Sequence, residues 1–266
     1  MKKLFAILLV MLPTIAAAQS GIDGSWRIDL NKAQVDSKPM VFELKDGMFS
    51  CSTCDPKIHI KADGKDQKVT GNPYADTESV TVLNASTVER DGKKDGKISY
   101  HLTLMVSDDG KAMTEKYLGN RAGDQTVTAT GMYTRVGAPE SGGSAISGSW
   151  KLDKWESASD NALTFAYASS GDGLNYKATT GESYSAKFDG KDYPFHGDPG
   201  MTSVVLKKID DHTWEETYKR EGEVVGVARM TVSGDGKSLN IVSKDTRRGT
   251  TDTWIAEKQD NAMADK

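Results

Sequence analysis

The sequence predicts an all-β protein made of two tandem antiparallel β-barrels. Three observations carry this prediction. An internal repeat runs through the chain at an offset of about 125 residues. Apolar and polar residues alternate within its apolar runs. Asp-Gly and Gly-rich pairs separate those runs, at points where tight antiparallel hairpins need positive φ. No amphipathic helical pattern interrupts them.

The first segment, "MKKLFAILLVMLPTIAAAQS", has a basic start at Lys2 and Lys3, an apolar run from Leu4 to Leu12 and small residues at Ala16 to Ala18. It reads as a secretory signal peptide over 1–18, cut before Gln19. The apolar run is shorter than the ~20 residues a bilayer span needs. The expected compartment is therefore the periplasm or the exterior. Cleavage removes two of the 34 basic residues, leaving 32 against 38 acidic ones and a net charge of −6. Basic residues form no stripe, which argues against a nucleic-acid partner. No later segment is apolar enough to span a membrane.

The repeat divides the remainder of the chain. "GIDGSWRIDL" (21–30) returns as "AISGSWKLDK" (145–154), and "ADGKDQKVTGNP" (62–73) as "FDGKDYPFHGDP" (188–199). "SVTVLNASTVER" (79–90) parallels "SVVLKKIDDHTWEE" (203–216), and "MVSDDGKAM" (105–113) answers "TVSGDGKSL" (231–239). The expected boundaries are a first barrel over 19–136, a Gly/Ser/Pro linker over 137–145, a second barrel over 146–258 and a disordered polar tail over 259–266. Each copy is long enough to fold alone.

Within the copies, "KISYHLTLMV" (97–106) sets Ile98, Tyr100, Leu102, Leu104 and Val106 on one face. "TWEETYKR" (213–220) sets Trp214, Glu216 and Tyr218 on one face, and "EVVGVARMTV" (223–232) reads as a mostly buried strand. Many short strands in meander order hide their edges best by closing into barrels.

Gly24-Ser25-Trp26 and Gly148-Ser149-Trp150, each on a first strand, resemble the calycin superfamily of lipocalins and fatty-acid-binding-like barrels. "MYTRV" (132–136) is similar to the family's last strand, whose basic residue packs over the tryptophan. Carried over, the resemblance puts Arg135 over Trp26 and Lys258 over Trp150. The helix pair that caps fatty-acid-binding barrels has no room here, and the middle lipocalin motif is absent. The tandem layout is also similar to that of exported bacterial proteins of unknown function.

Features common to both copies serve the fold: the Gly-Ser-Trp segments, the Asp-Gly-Lys-Asp turns and the Gly-Asn-Pro and Gly-Asp-Pro turns. His59, His101, His196 and His212 have no counterparts in the other copy and no ligand spacing, and His212 reads as a hairpin tip. No nucleophile–base pair, phosphate loop or metal motif is present, so no catalytic residue, metal or cofactor is assigned.

Aromatics crowd the second copy: Trp155, Trp214, Trp254, Tyr176, Tyr184, Tyr218 and Phe188. Such residues fill a small barrel or line its cavity, filling being the simpler reading. Trp214, Tyr218 and Trp254 are the candidate ligand contacts. Arg229, in the apolar run, is the candidate polar anchor, by analogy with the inward basic residue of calycin cavities.

Cys51 and Cys54 stand as C-x-x-C in "FSCSTCDP". Asp55 follows where haem attachment would need His, and no helix start is at hand to activate a thiol. A local disulfide is expected, worth about 2 kcal/mol by loop closure. The functional expectation is an exported, soluble, lipocalin-like protein that binds or carries a small apolar ligand in the periplasm. The alternatives are an envelope interaction module with filled barrels, and a thiol–disulfide protein using the C-x-x-C pair. The sequence does not set the oligomeric state.

Overall fold

The computed structural model describes residues 21–36, 38–120, 125–138 and 143–260. The expected signal peptide, part of the linker and most of the tail lie outside the described residues. The strands are β1 (Gly24–Ile28), β2 (Met40–Lys45), β3 (Met48–Cys51), β4 (Ile58–Lys61), β5 (Gln67–Lys68), β6 (Thr77–Asn84) and β7 (Thr87–Lys94). After these come β8 (Lys97–Val106), β9 (Ala112–Asn120), β10 (Thr126–Val136) and β11 (Gly148–Ala158). A single helical turn, α1 (Asp160–Leu163), leads to β12 (Thr164–Ser170), β13 (Gly173–Ala178), β14 (Ser183–Lys187) and β15 (Tyr193–Pro194). The chain finishes with β16 (Ser203–Lys208), β17 (Thr213–Arg220), β18 (Glu223–Val232), β19 (Ser238–Asp245) and β20 (Thr250–Gln259).

These strands form two nearly closed antiparallel ten-stranded barrels, as the alternation and turns predict. Barrel 1 has the order β4-β3-β2-β11-β10-β9-β8-β7-β6-β5, and barrel 2 the order β14-β13-β12-β1-β20-β19-β18-β17-β16-β15. Repeated turns fold alike. Asp63 and Asp189 each accept from the backbone N–H two residues on, at 3.1 Å, as do Asp109 and Asp235 at 3.0 and 3.1 Å. The seams close differently. In barrel 2, Ser183 and His196 exchange two backbone hydrogen bonds, of 3.1 and 2.9 Å. In barrel 1 the Gln67 amide stands in for a strand, accepting from Lys61 N at 2.8 Å and donating to Lys61 O at 2.7 Å.

The barrels do not coincide with the sequence copies. β1 lies between β20 and β12, in the barrel of the second copy, and β11 lies between β10 and β2, in the barrel of the first. Residues 19–136 and 146–258 therefore each supply nine strands to one barrel and the Gly-Ser-Trp strand to the other. The segment at 137–145 joins adjacent antiparallel strands of one sheet rather than separating two domains. Pairing β10 with β11 closes a short loop, which costs less chain entropy than bringing β1 back to β10. After β1 the chain runs along barrel 2, with Asp29 N–H donating to Ile255 O at 2.9 Å and Gln34 bridging Thr253, before entering barrel 1 at β2. Gln259 ends β20, one residue beyond the expected barrel boundary.

The exchange corrects the expected cation–tryptophan pairing. Arg135 covers Trp150, its guanidinium 4.1 Å from the ring centroid, and Lys258 covers Trp26 at 5.2 Å. Arg135 also donates to the carbonyls of Gly110, Ser147 and Ala145, each at 2.6 Å, whereas Lys258 donates to Gly21 O at 2.9 Å. Gly148 has φ +135°, and a Cβ there would lie 2.4 Å from Arg135 Nη1, so only glycine lets the cation settle over the ring. Both tryptophans are fully buried, and their indole N–H groups donate to Ile22 O and Ile146 O at 2.8 Å. Burial of each is worth about 5 kcal/mol before entropic costs. Around Trp150 pack Phe42, Phe49, Val80, Val88, Leu104 and Met113; around Trp26 pack Phe165, Val204, Leu206, Leu239 and Ala256.

Candidate functional site

The inward face of β6 to β8 gives barrel 1 a buried polar group. Glu78 is the second residue of β6, and Arg90 on β7 lies between Val80 and Leu102. Arg90 Nη2 donates to Glu78 Oε2 at 3.0 Å, and Tyr100 Oη and Asn72 Nδ2 donate to Glu78 Oε1 at 2.6 and 3.0 Å. Arg90 is 7 % exposed, and its Nε has no hydrogen-bond partner. Burial raises the Tyr100 hydroxyl, and the Glu78 charge raises it further against the opposing pull of Arg90. Glu115 on β9 accepts from Tyr133 Oη at 3.2 Å. Burial holds the Glu115 carboxyl above its ordinary value, while the Tyr133 hydrogen bond and the charges of Arg90 and Arg248 pull it back.

Barrel 2 turns this group inside out. Cross-strand pairs Arg90–Leu102 and Glu216–Ala228 have the same spacing, so Glu216 occupies the position of Arg90. Glu216 is fully buried and takes hydrogen bonds from Tyr167 Oη at 2.8 Å, Tyr184 Oη at 2.7 Å, Trp214 Nε1 at 2.8 Å and Tyr218 Oη. Burial, then the Glu216 charge, raises the Tyr167, Tyr184 and Tyr218 hydroxyls well above their ordinary values. Even the tyrosine that reaches the carboxylate comes from the opposite strand in the two barrels. In barrel 1 Tyr100 on β8 faces Gly92 on β7; in barrel 2 Tyr218 on β17 faces Gly226 on β18. A Cβ on Gly92 would lie 2.2 Å from the Tyr100 ring, so the glycine makes space for the aromatic opposite it.

Two cavities result from this arrangement. One, of about 610 Å³, is lined by Arg90, Tyr100, Leu102 and Glu115 of barrel 1 together with Trp155 on β11 and Leu163 on α1. The other, of about 350 Å³, lies inside barrel 2 against Phe165, Tyr167, Tyr176, Phe195 and Tyr218. They share the lining residues Ile28, Val127, Ala162, Asp198 and Trp254, so the barrels open toward a common wall. The repeated proline turns meet there: Tyr74, next to Pro73, donates to Asp198 at 2.8 Å. These turns are more than fold elements, since Asn72 and Asp198 both border the larger cavity.

The expected ligand contacts divide accordingly. Trp214 and Tyr218 face inward onto Glu216, and Trp254 lines both cavities. Arg229 is exposed, because its neighbours Ala228 and Met230 take the inward phase of β18; it cannot anchor a ligand inside the barrel. Cys51 and Cys54 form the expected disulfide; Cys51 is fully buried in the barrel 1 core. Asp55 beside it pairs with Arg247 of the β19–β20 turn at 3.2 Å, tying the cysteine loop to barrel 2. His212 sits at the β16–β17 turn, and His101 is held by Asp91 at 2.7 Å. Among the described residues no three His, Cys, Asp or Glu side chains gather as a metal site.

Sequence reasoning misses Glu78, Arg90 and Glu115. A signal for Arg90 is present in the repeat itself, where "VER" (88–90) stands against "WEE" (214–216). A charge reversal at a position whose alternation points inward marks a difference in contents rather than in fold. No family model and no curated protein matches the chain.

Proposed function

We propose that this is an exported, calycin-like binding protein that holds or carries a small, mainly apolar molecule at the facing mouths of its two barrels. The observation that carries the reading is the pair of cavities sharing Ile28, Val127, Ala162, Asp198 and Trp254. Their volumes fall in the range of small-molecule sites, and apolar walls with a few polar groups are what such sites need. In the larger cavity Arg90 takes the role expected of Arg229, because its buried Nε is a donor awaiting an acceptor. Leu102, Val127, Ala129, Leu163, Trp155 and Trp254 supply the apolar surface. Binding then draws on burial of apolar area, with Arg90 and Glu115 orienting a polar end. The disulfide is compatible with an oxidising compartment such as the periplasm, and the first eighteen residues have the pattern of an export signal.

Native mass spectrometry of protein isolated from a periplasmic extract tests this reading. A bound small molecule that leaves on denaturation, and a mature chain starting at Gln19, are the expected results. Cytoplasmic retention would overturn the export reading. Failure of any fatty acid, amine or neutral lipid to raise the melting temperature would overturn the carrier reading.

A further inference from the structure

We propose that the barrel 2 cavity is a site for an organic cation, an alkylamine or quaternary ammonium whose head faces the tyrosine cage. The proposal rests on the binding reading above and assigns a ligand class to one of its two cavities. In barrel 1 the buried carboxylate of Glu78 has an internal counter-charge, Arg90, at 3.0 Å. In barrel 2 the buried carboxylate is Glu216, standing at the position of Arg90 itself, and every group that hydrogen-bonds it is a neutral phenol or indole. A carboxylate's two oxygens only accept, and four donors reach them here without bringing a counter-charge. None of the residues lining the adjoining cavity is Lys, Arg or His, while Glu182 and Asp198 line it. The hydroxyl of Tyr176, in that wall, is raised by burial and then by Glu216, Glu182 and Asp198, with no positive charge opposing them.

The walls suit a cation as much as the charge does. Tyr176 is 5.2 Å from Tyr184, 5.3 Å from Tyr167 and 6.2 Å from Phe195 between ring centroids, and Phe195 meets Tyr218 edge-on at 5.9 Å. Tyr167, Tyr176, Phe195, Tyr218 and Trp254 all border the cavity. Aromatic faces attract a desolvated ammonium through their quadrupoles, and they do so without the strong hydration that competing anionic groups carry. Trp214 and the phenols of Tyr167, Tyr184 and Tyr218 hold Glu216 one hydrogen bond behind this wall, so its field reaches the cavity while its oxygens stay covered. The larger cavity differs in having a cation, Arg90, among its lining residues.

Calorimetric titration of the mature full-length protein with hexyltrimethylammonium, 1-hexanol and hexanoate tests the assignment. The ammonium is expected to bind about tenfold more tightly than the alcohol. Glu216→Gln is expected to erase that preference, lowering ammonium affinity about tenfold more than hexanol affinity. Should Glu216→Gln fail to show a cooperative melting transition, the double variant Glu182→Gln/Asp198→Asn decides, with at least a threefold loss of ammonium affinity expected, on the order of one weakened surface-type charge contact. Ammonium binding no tighter than hexanol, or a preference that survives in the folded acidic-residue variants, overturns the proposal. Binding of hexanol or hexanoate without ammonium removes the cation assignment alone. Binding of none of the three removes the carrier reading with it.

Discussion

The two barrels share a frame and differ in what they enclose. Each has a fully buried tryptophan under a basic side chain, and each uses the same aspartate turns at matching positions. Inside, barrel 1 pairs Glu78 with Arg90, whereas barrel 2 surrounds Glu216 with four neutral donors. Three further exchanges accompany that contrast. By register against the glycines of β11 and β1, Phe42, Cys51 and Ile58 of barrel 1 occupy the places of Tyr167, Tyr176 and Tyr184 in barrel 2. An apolar, disulfide-tied wall thus replaces a ladder of phenols. The frame is set by strand edges and caps, and the contents by the inward residues of a few strands, so the two can change independently.

The largest expected effect tests which barrel owns which tryptophan. Trp26→Ala should cost about 3–5 kcal/mol, with loss of hydrogen-exchange protection concentrated in β12, β19 and β20. Trp150→Ala should do the same in β2, β9 and β10. Loss of protection in β2 and β10 on replacing Trp26 would break the exchanged arrangement.

The buried charges come next. Arg90→Met should cost about 3–5 kcal/mol in urea unfolding, because it leaves the buried Glu78 without its counter-charge. Adding Glu78→Gln should return much of that loss. Glu216→Gln should cost less, about 1–3 kcal/mol, since hydroxyl donors can turn toward the remaining amide oxygen. Equal costs would mean that the two carboxylates are held in the same way.

The caps over the tryptophans should separate more mildly. Arg135 makes three carbonyl hydrogen bonds and Lys258 one. Arg135→Met is expected to cost about 2 kcal/mol and Lys258→Met about 1 kcal/mol in the same unfolding measurement.

The smallest effect depends on pH and belongs to barrel 1 alone. The Glu115 carboxyl keeps its proton to higher pH in the fold than its ordinary value of 4.5. Its contribution to stability is therefore complete below that pH and is lost as pH rises through the raised native value. Glu115→Gln should melt above wild type at neutral pH, and the gain should vanish in acid. Glu115 is only partly shielded from the chamber, which keeps the difference small. A gain that grows in acid would contradict the burial of this carboxyl.

Much of the fold is legible in the sequence for local reasons. Alternation in 97–106 and 213–220 depends only on the two-residue period of a strand, and Asp-Gly pairs state their turn by backbone sterics. Trp214 and Tyr218 share the inward face on that basis, and Glu216 with them. Arg229 escapes it because "VVGVARMTV" is apolar on both faces, so no phase can be read from the run. Glu115 and Glu78 escape because carboxylates abound and only their surroundings set them apart.

The sequence by itself determined that the chain is built twice, from short antiparallel strands, with a tryptophan at the start of each copy and a cysteine pair close enough to bond. These are properties of near neighbours and of a period, and both are written along one dimension. Only the tertiary structure decided which barrel each tryptophan strand completes, since two nearly identical strands fit either edge and loop closure and packing choose between them. It alone also brought Arg90, Glu115, Asp198 and Trp254 to one chamber, because their meeting depends on how two closed sheets face each other.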